Sequence, residues 1–166
     1  MLVQLLIIGF FLYVIWLFLY SLLFGAPYAA IGKKRLAVIL RLANVKKGER
    51  AVDIGSGDGR IVIALAKEGA EASGFEINPL LHSIALWKIY KSKEKNARVF
   101  LKDFWRVNFS SYDVITVYGN FPMMERLEKK LQHELRPGAR VVSNHFLFPN
   151  WQPEKSLEDV YLYIKK

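Results

Sequence analysis

Apolar positions fall into two regimes along this 166-residue chain. From Met1 to Phe24 they are almost continuous: Gln4, Gly9 and Ser21 interrupt 21 apolar residues, and none of the 24 is charged. As a helix this stretch would be about 36 Å long, enough to cross a hydrocarbon core of ~30 Å. It lacks the basic n-region of a cleaved signal peptide, and its apolar run is too long for one. An interfacial helix would show a polar face, and this one has none. The pattern therefore predicts a single uncleaved transmembrane helix over residues 1–24.

Beyond residue 25 the apolar positions become periodic. Leu36, Ile39, Leu40 and Ala43 repeat at helical spacing and predict a helix over 34–42. Strands are predicted at 50–54, 72–77, 98–101, 113–118, 139–146 and 159–164. Helices are predicted at 61–67, at 79–93 behind Pro79, and where Met124, Leu127, Leu131 and Leu135 form one apolar face that stops before Pro137-Gly138. Strands alternating with helices imply βαβ units and a mostly parallel sheet with helices on both faces. The first and fourth strands read as continuous apolar runs, as buried parallel strands do. The tail after Trp151 leaves room for a short terminal hairpin. No repeat, linker or low-complexity tract interrupts residues 25–166, which read as one α/β domain.

Charge sharpens the first regime. The chain carries a net +9 and a pI near 9.7, which by itself would suit nucleic acid. Its distribution says otherwise. Lys33, Lys34, Arg35, Arg41, Lys46, Lys47 and Arg50, opposed by Glu49 alone, put +6 into residues 25–50 and leave +3 for the 116 residues that follow. A basic flank on the C-terminal side of a span predicts that the domain faces the cytosol, with the bilayer as partner and no nucleic acid. The chain has no cysteine, which excludes disulfides and thiol nucleophiles, and its three histidines, His82, His133 and His145, have no metal-ligand spacing.

The candidate chemistry sits at the ends of successive strands. Asp53-Ile54-Gly55-Ser56-Gly57-Asp58-Gly59 joins the first strand to the next helix. Gly55, Gly57 and Gly59 let the backbone take positive φ and admit a ligand closely. The turn is G-x-G-x-G with Arg60 in the sixth place, so it departs from a dinucleotide fingerprint. Asp53 would repel a pyrophosphate and suits an ammonium or sulfonium group. Glu76, about 20 residues on in Gly74-Phe75-Glu76-Ile77-Asn78-Pro79, is placed to accept from two ribose hydroxyls. Asp103, followed by Phe104 and Trp105, can accept from an adenine amino group while a ring covers the base. A cationic ligand with ribose and adenine is S-adenosylmethionine. Glu76 or Asp103 alone would read as a loop carboxylate or a helix cap; the three acids at three successive strand ends carry the assignment. Asn120, just past the fourth strand, is the candidate to orient an acceptor amine, with a plain turn role as its alternative.

These residues resemble a class I, seven-strand S-adenosylmethionine-dependent methyltransferase. The stretches Gly25–Tyr28, Asp53–Ala66, Gly74–Leu81, Lys102–Trp105, Met123–Leu131, Glu134-Leu135 and Pro137–Trp151 further resemble the membrane-anchored protein-lysine methyltransferases that act on the c-type subunit of ATP synthase and on the adenine nucleotide translocase. The resemblance implies a small, Rossmann-like, doubly wound domain over 25–166 behind the transmembrane helix. It implies cofactor contacts from Tyr28, Asp53, Gly55, Gly57, Gly59, Glu76, Asn78, Asp103 and Phe104, with Gly25–Tyr28 folding over the methionine end. It also implies a membrane or membrane-proximal protein lysine as acceptor. A methyltransferase for a lipophilic acceptor such as a quinone, lipid or fatty acid is the second reading. A non-catalytic cofactor-binding scaffold is the third, and it has no need to keep all three acids.

Overall fold

The computed structural model describes residues 2–24 and 31–166. The first helix, α1 (Leu2–Phe24), is 23 residues without a charge. Among the residues whose side chains are described, no helix is long and apolar enough to cross a membrane. The expected span therefore rests on the sequence of the whole of α1.

The domain follows as α2 (Lys33–Ala43), β1 (Arg50–Ile54), α3 (Arg60–Lys67), β2 (Glu71–Glu76), α4 (Pro79–Ser92), β3 (Ala97–Leu101), a 3₁₀ turn (Phe104–Arg106), β4 (Val114–Val117), α5 (Phe121–Glu134), β5 (Arg140–Asn144), β6 (Lys155–Leu157) and β7 (Val160–Ile164). The sheet runs β3-β2-β1-β4-β5-β7-β6. The five strands from β3 to β5 are parallel, and β7 and β6 add an antiparallel hairpin.

Chain order reverses between β1 and β4. In an open α/β sheet, that is where a crevice opens beyond the strands' carboxyl ends. On one face Ile39 and Leu42 of α2, Val62 and Leu65 of α3 and Ala85 of α4 pack on Ala51, Ala72, Val99 and Val142. On the other, Met124, Leu127 and Leu131 of α5 pack with Phe109, Phe148 and Tyr163 on Val52, Ile54, Ile115 and Val141.

Local chemistry explains the helix starts. Asn78 caps α4 by accepting from the Leu80 and Leu81 amides, with Pro79 behind it, and Asn120 caps α5 by accepting from Met123 at 3.1 Å.

The expected boundaries agree with the structure to within one residue except at one end. The strand expected over 139–146 stops at Asn144, because His145 takes φ 74° and its amide turns to the Asp159 carbonyl at 2.7 Å. A left-handed residue cannot continue a pleated ladder.

Candidate active site

The glycine turn is held by strand β2. The amides of Gly55 and Ser56 both donate to the Phe75 carbonyl at 3.0 Å, and the Gly57 amide donates to Glu76 Oε2 at 2.8 Å. Gly55, Gly57 and Gly59 all have positive φ, at 72°, 52° and 76°. At Gly59 a side chain is excluded twice over, since a Cβ there would also meet Ala85 Cβ of α4 at 3.0 Å. Gly74 makes room in β2 for the turn itself: a Cβ would come within 2.6 Å of Ser56 Cβ.

Asp53 ends up 3% exposed at the β1–β4 reversal. Its Oδ1 accepts the Thr116 hydroxyl at 2.7 Å, from the residue directly opposite in the register. Burial pushes the Asp53 carboxyl up to about 8; the Thr116 hydrogen bond works against that, and the nearby charges of Glu76 and Asp58 add to it. Among the described residues no Lys or Arg contributes to its setting. A buried carboxylate without a cationic partner is the place for a ligand that brings the cation.

Glu76, also buried, accepts from three backbone amides: Gly57 through Oε2, and Ile77 and Asn78 through Oε1 at 2.9 and 2.7 Å. These bonds lock the carboxylate at the end of β2 and leave one lone-pair site, on Oε2, for a hydroxyl donor. Asp103 caps the 3₁₀ turn, its Oδ1 accepting from the Trp105 amide at 2.9 Å, which leaves Oδ2 for a ligand amino group. Phe104 packs against Trp105, with centroids 4.7 Å apart, and the Arg126 guanidinium covers Trp105 from α5 at 4.2 Å. β1, β2 and β3 lie side by side, and in their register Asp53 pairs with Gly74, two residues short of Glu76, while Glu76 pairs with Leu101, two short of Asp103, so the three acids step diagonally across the strand ends. Asn78 and Asn120 spend their side-chain oxygens on helix caps. Tyr28 lies outside the described residues.

Two features of the site escape a reading of the sequence. The first is an ion-pair knot under the turn. Asp58, buried between Gly57 and Gly59, accepts from Arg60 Nη2 at 2.6 Å and from Lys88 of α4, and Arg60 Nη1 reaches the Ile31 carbonyl at 2.5 Å. Burial raises the Asp58 carboxyl, but the hydrogen bonds and charges of Arg60 and Lys88 outweigh it and hold the group well below the usual range. The second is an aromatic cluster beyond β4 and β5. The Phe146 ring meets Tyr118 at 5.7 Å, Phe121 at 5.1 Å and His145 at 5.1 Å. Its loop is fixed by the Ser143 hydroxyl donating to the Phe146 carbonyl. The signals are an aspartate and an arginine two residues apart at the end of the glycine turn and a set of rings at two strand ends, neither interpretable without the tertiary arrangement.

The profile of the ANTKMT methyltransferase domain matches residues 53–155, which takes in the glycine turn, all three acids and the aromatic cluster. The chain belongs to that family. A lysine N-methyltransferase of Mus musculus, named for the C-type subunit of ATP synthase, is 38% identical over 142 residues, covering 82% of this chain and 57% of that protein. The chain thus spans just over half the length of the mouse protein. A protein-lysine N-methyltransferase of Saccharolobus islandicus is 35% identical over 149 residues, covering 83% of this chain and 92% of that protein. Among solved structures, an RNA methyltransferase from Salinibacter ruber in complex with S-adenosyl-L-homocysteine superposes with a TM-score of 0.76 at 30% identity, over 82% of this chain and 92% of that one.

As an ANTKMT-family domain, this chain has the class I methyltransferase fold, and its cofactor is S-adenosylmethionine. The geometry of the residues fits that group in its own right. A buried, cation-free Asp53, a locked Glu76 and a half-used Asp103 stand in the order of an ammonium, a ribose and an adenine.

Proposed function

We propose that this protein is a membrane-anchored protein-lysine N-methyltransferase acting on a membrane or membrane-proximal protein, with its domain on the cytosolic face. The observation that carries the reading is the buried Asp53 at the end of β1, the strand next to β4, beyond which Tyr118 packs on Phe146 and Phe146 on Phe121: a cation site and a ring cluster at the ends of adjacent strands. In their names, the mouse and Saccharolobus relatives are both lysine N-methyltransferases, which supports a lysine acceptor. The anchor rests on α1, about 34 Å long at ~1.5 Å per residue and uncharged, and the orientation rests on the basic flank behind it.

When bound, S-adenosylmethionine supplies a methyl group on a cationic sulfur. Asp53 would hold its amino group, Glu76 a ribose hydroxyl, Asp103 its adenine amine, Phe104 the base, and the glycine turn its closest backbone approach. The remaining work of this chain falls on the acceptor. A lysine ammonium must lose its proton, at roughly 4.6 kcal/mol from a pKa of ~10.4 at pH 7. Desolvation against the rings of Tyr118 and Phe146 and the positive charge of the cofactor's sulfur would both disfavour the ammonium and so favour the neutral amine. Alignment with the methyl group supplies the rest, so no dedicated base is required.

The test is to incubate the full chain with native membranes and methyl-labelled cofactor. Label in a protein band, recovered as methyl-lysines on acid hydrolysis, is the expected result. Label extracted into organic solvent would transfer the reading to a lipophilic acceptor, and label in RNA to a nucleic acid. A reporter fused behind Lys166 should read as cytosolic.

A further inference from the structure

Helix α4 has the wrong outer face for a surface helix in water. Its inner side is ordinary, with Ala85 fully buried against the sheet. Its outer arc should carry charge. Instead it presents Leu80, Leu86, Trp87 and Tyr90, which are 69%, 48%, 56% and 84% exposed. The charged residue on that arc, Lys91, lies with Nζ 4.1 Å from the Trp87 ring centroid. Trp, Tyr and Lys beside leucine make up the composition that settles at a membrane–water boundary, where a ring can be half buried and a cation can reach a phosphate.

The neighbouring helices supply the matching charge. α2, α3 and α4 form one layer on the same side of the sheet. Lys33, Lys34 and Arg41 of α2, Lys67 of α3, and Lys93 and Lys95 beyond α4 are exposed there, against Glu68 and the half-buried Glu94. Residues 25–32 between α1 and α2 reach at most roughly 29 Å when fully extended, so a spanning α1 keeps this layer within reach of the headgroups.

We propose that the α2–α3–α4 layer lies against an anionic bilayer, with Leu80, Leu86, Trp87 and Tyr90 of α4 in the headgroup layer and the surrounding lysines and arginines on lipid phosphates. This rests on the membrane-anchor reading and adds to it an orientation: the domain lies on its helical face, with the crevice at the side, open along the membrane plane. A crevice so placed reaches lysines at the membrane surface and not those projecting far from it.

The chain has no cysteine, so single spin labels can be placed cleanly. Leu12→Cys in α1, Tyr90→Cys and Leu86→Cys in α4, and Lys129→Cys on exposed α5 would be labelled in the full chain. Each would be reconstituted in nanodiscs of phosphatidylcholine with phosphatidylglycerol and relaxed by oxygen or by a water-soluble nickel chelate. The expected result is that the α4 labels are several-fold less accessible to nickel than Lys129→Cys while remaining open to oxygen, and that this contrast weakens in phosphatidylcholine alone. A lipid-exposed Leu12→Cys with Tyr90→Cys and Leu86→Cys as nickel-accessible as Lys129→Cys would overturn the docking face and leave the anchor standing. Leu12→Cys open to nickel would overturn the anchor and the docking with it. Labels in α4 shielded from both relaxants would replace the bilayer with a protein partner, such as a second copy, and overturn the proposal.

Discussion

Thr116 donates its hydroxyl to Asp53 across the β1–β4 pair at 2.7 Å, and Asp53 is the one acid of the row set at the strand-order reversal. The bond works against burial and keeps the carboxylate within reach of neutral pH. Thr116→Val should therefore weaken S-adenosylmethionine binding by about 1.5–3 kcal/mol at pH 7, the range for a hydrogen bond to a charged group. Calorimetry should also show part of the loss recovered at higher pH, because Asp53 ionises later in the variant. A loss independent of pH would point to steric damage instead.

Cofactor affinity should itself depend on pH. With Asp53 near 8, a cationic ligand must displace its proton below that value, so affinity should rise about tenfold per pH unit toward 8. Above ~8 the ligand's own α-amino group loses its charge, and affinity should fall again. Asp53→Asn should flatten the acidic limb. For the apoprotein the sign is the reverse: the folded state holds this proton more tightly, so stability is fully present below the ordinary value of 3.8 and is lost as pH rises through about 8. Asp53→Asn should remove that loss in thermal unfolding at pH 8.

Glu76→Gln keeps one acceptor oxygen but adds an N–H2 group facing amide donors from Gly57, or from Ile77 and Asn78. Cofactor binding should weaken by about 1–3 kcal/mol in titration calorimetry, with a smaller drop in melting temperature, since a buried donor then lacks its acceptor.

Asp58 ties the glycine turn to α3 and α4 through Arg60 and Lys88. Asp58→Asn should destabilise the fold by about 1–3 kcal/mol near neutral pH. Because its carboxyl is held below the usual range, the stability it provides is present above ~4 and is lost as pH falls toward its folded value. Melting curves of the two proteins should therefore converge in acid.

Gly59→Ala forces a Cβ onto Ala85 and an L side chain into φ 76°. The left-handed conformation alone costs about 1–2 kcal/mol, and α3 and α4 must also separate. Reduced thermal stability together with reduced cofactor affinity is expected, whereas Gly138→Ala, at φ 87° in open space just before β5 at the opposite ends of the strands, should lose stability only.

Local pattern is legible wherever one residue type decides one conformation. Pro79 behind Asn78 marks the start of α4, the apolar runs at 50–54 and 113–118 mark β1 and β4, and the spacing of Asp53, Glu76 and Asp103 after three strands points to the cofactor without any tertiary information. The end of β5 is not legible, because His145 turns left-handed for the sake of a bond to Asp159, fourteen residues away. Asn120 shows the same limit: its place after β4 suggests chemistry, and the structure shows its oxygen capping α5.

What the sequence determined alone is the set of short-range facts: an uncharged apolar stretch over residues 1–24, a basic flank, a glycine turn and three acids, each encoded locally. What only the tertiary structure decided is which of these meet. Thr116 lies 63 residues from Asp53, Lys88 lies 30 from Asp58, and the Tyr118–Phe146 contact joins the ends of two different strands. Such pairings depend on strand order and register, which many local patterns share. The buried carboxyl of Asp53 and the apolar face of α4 likewise have no meaning until packing shows which side of each element faces water.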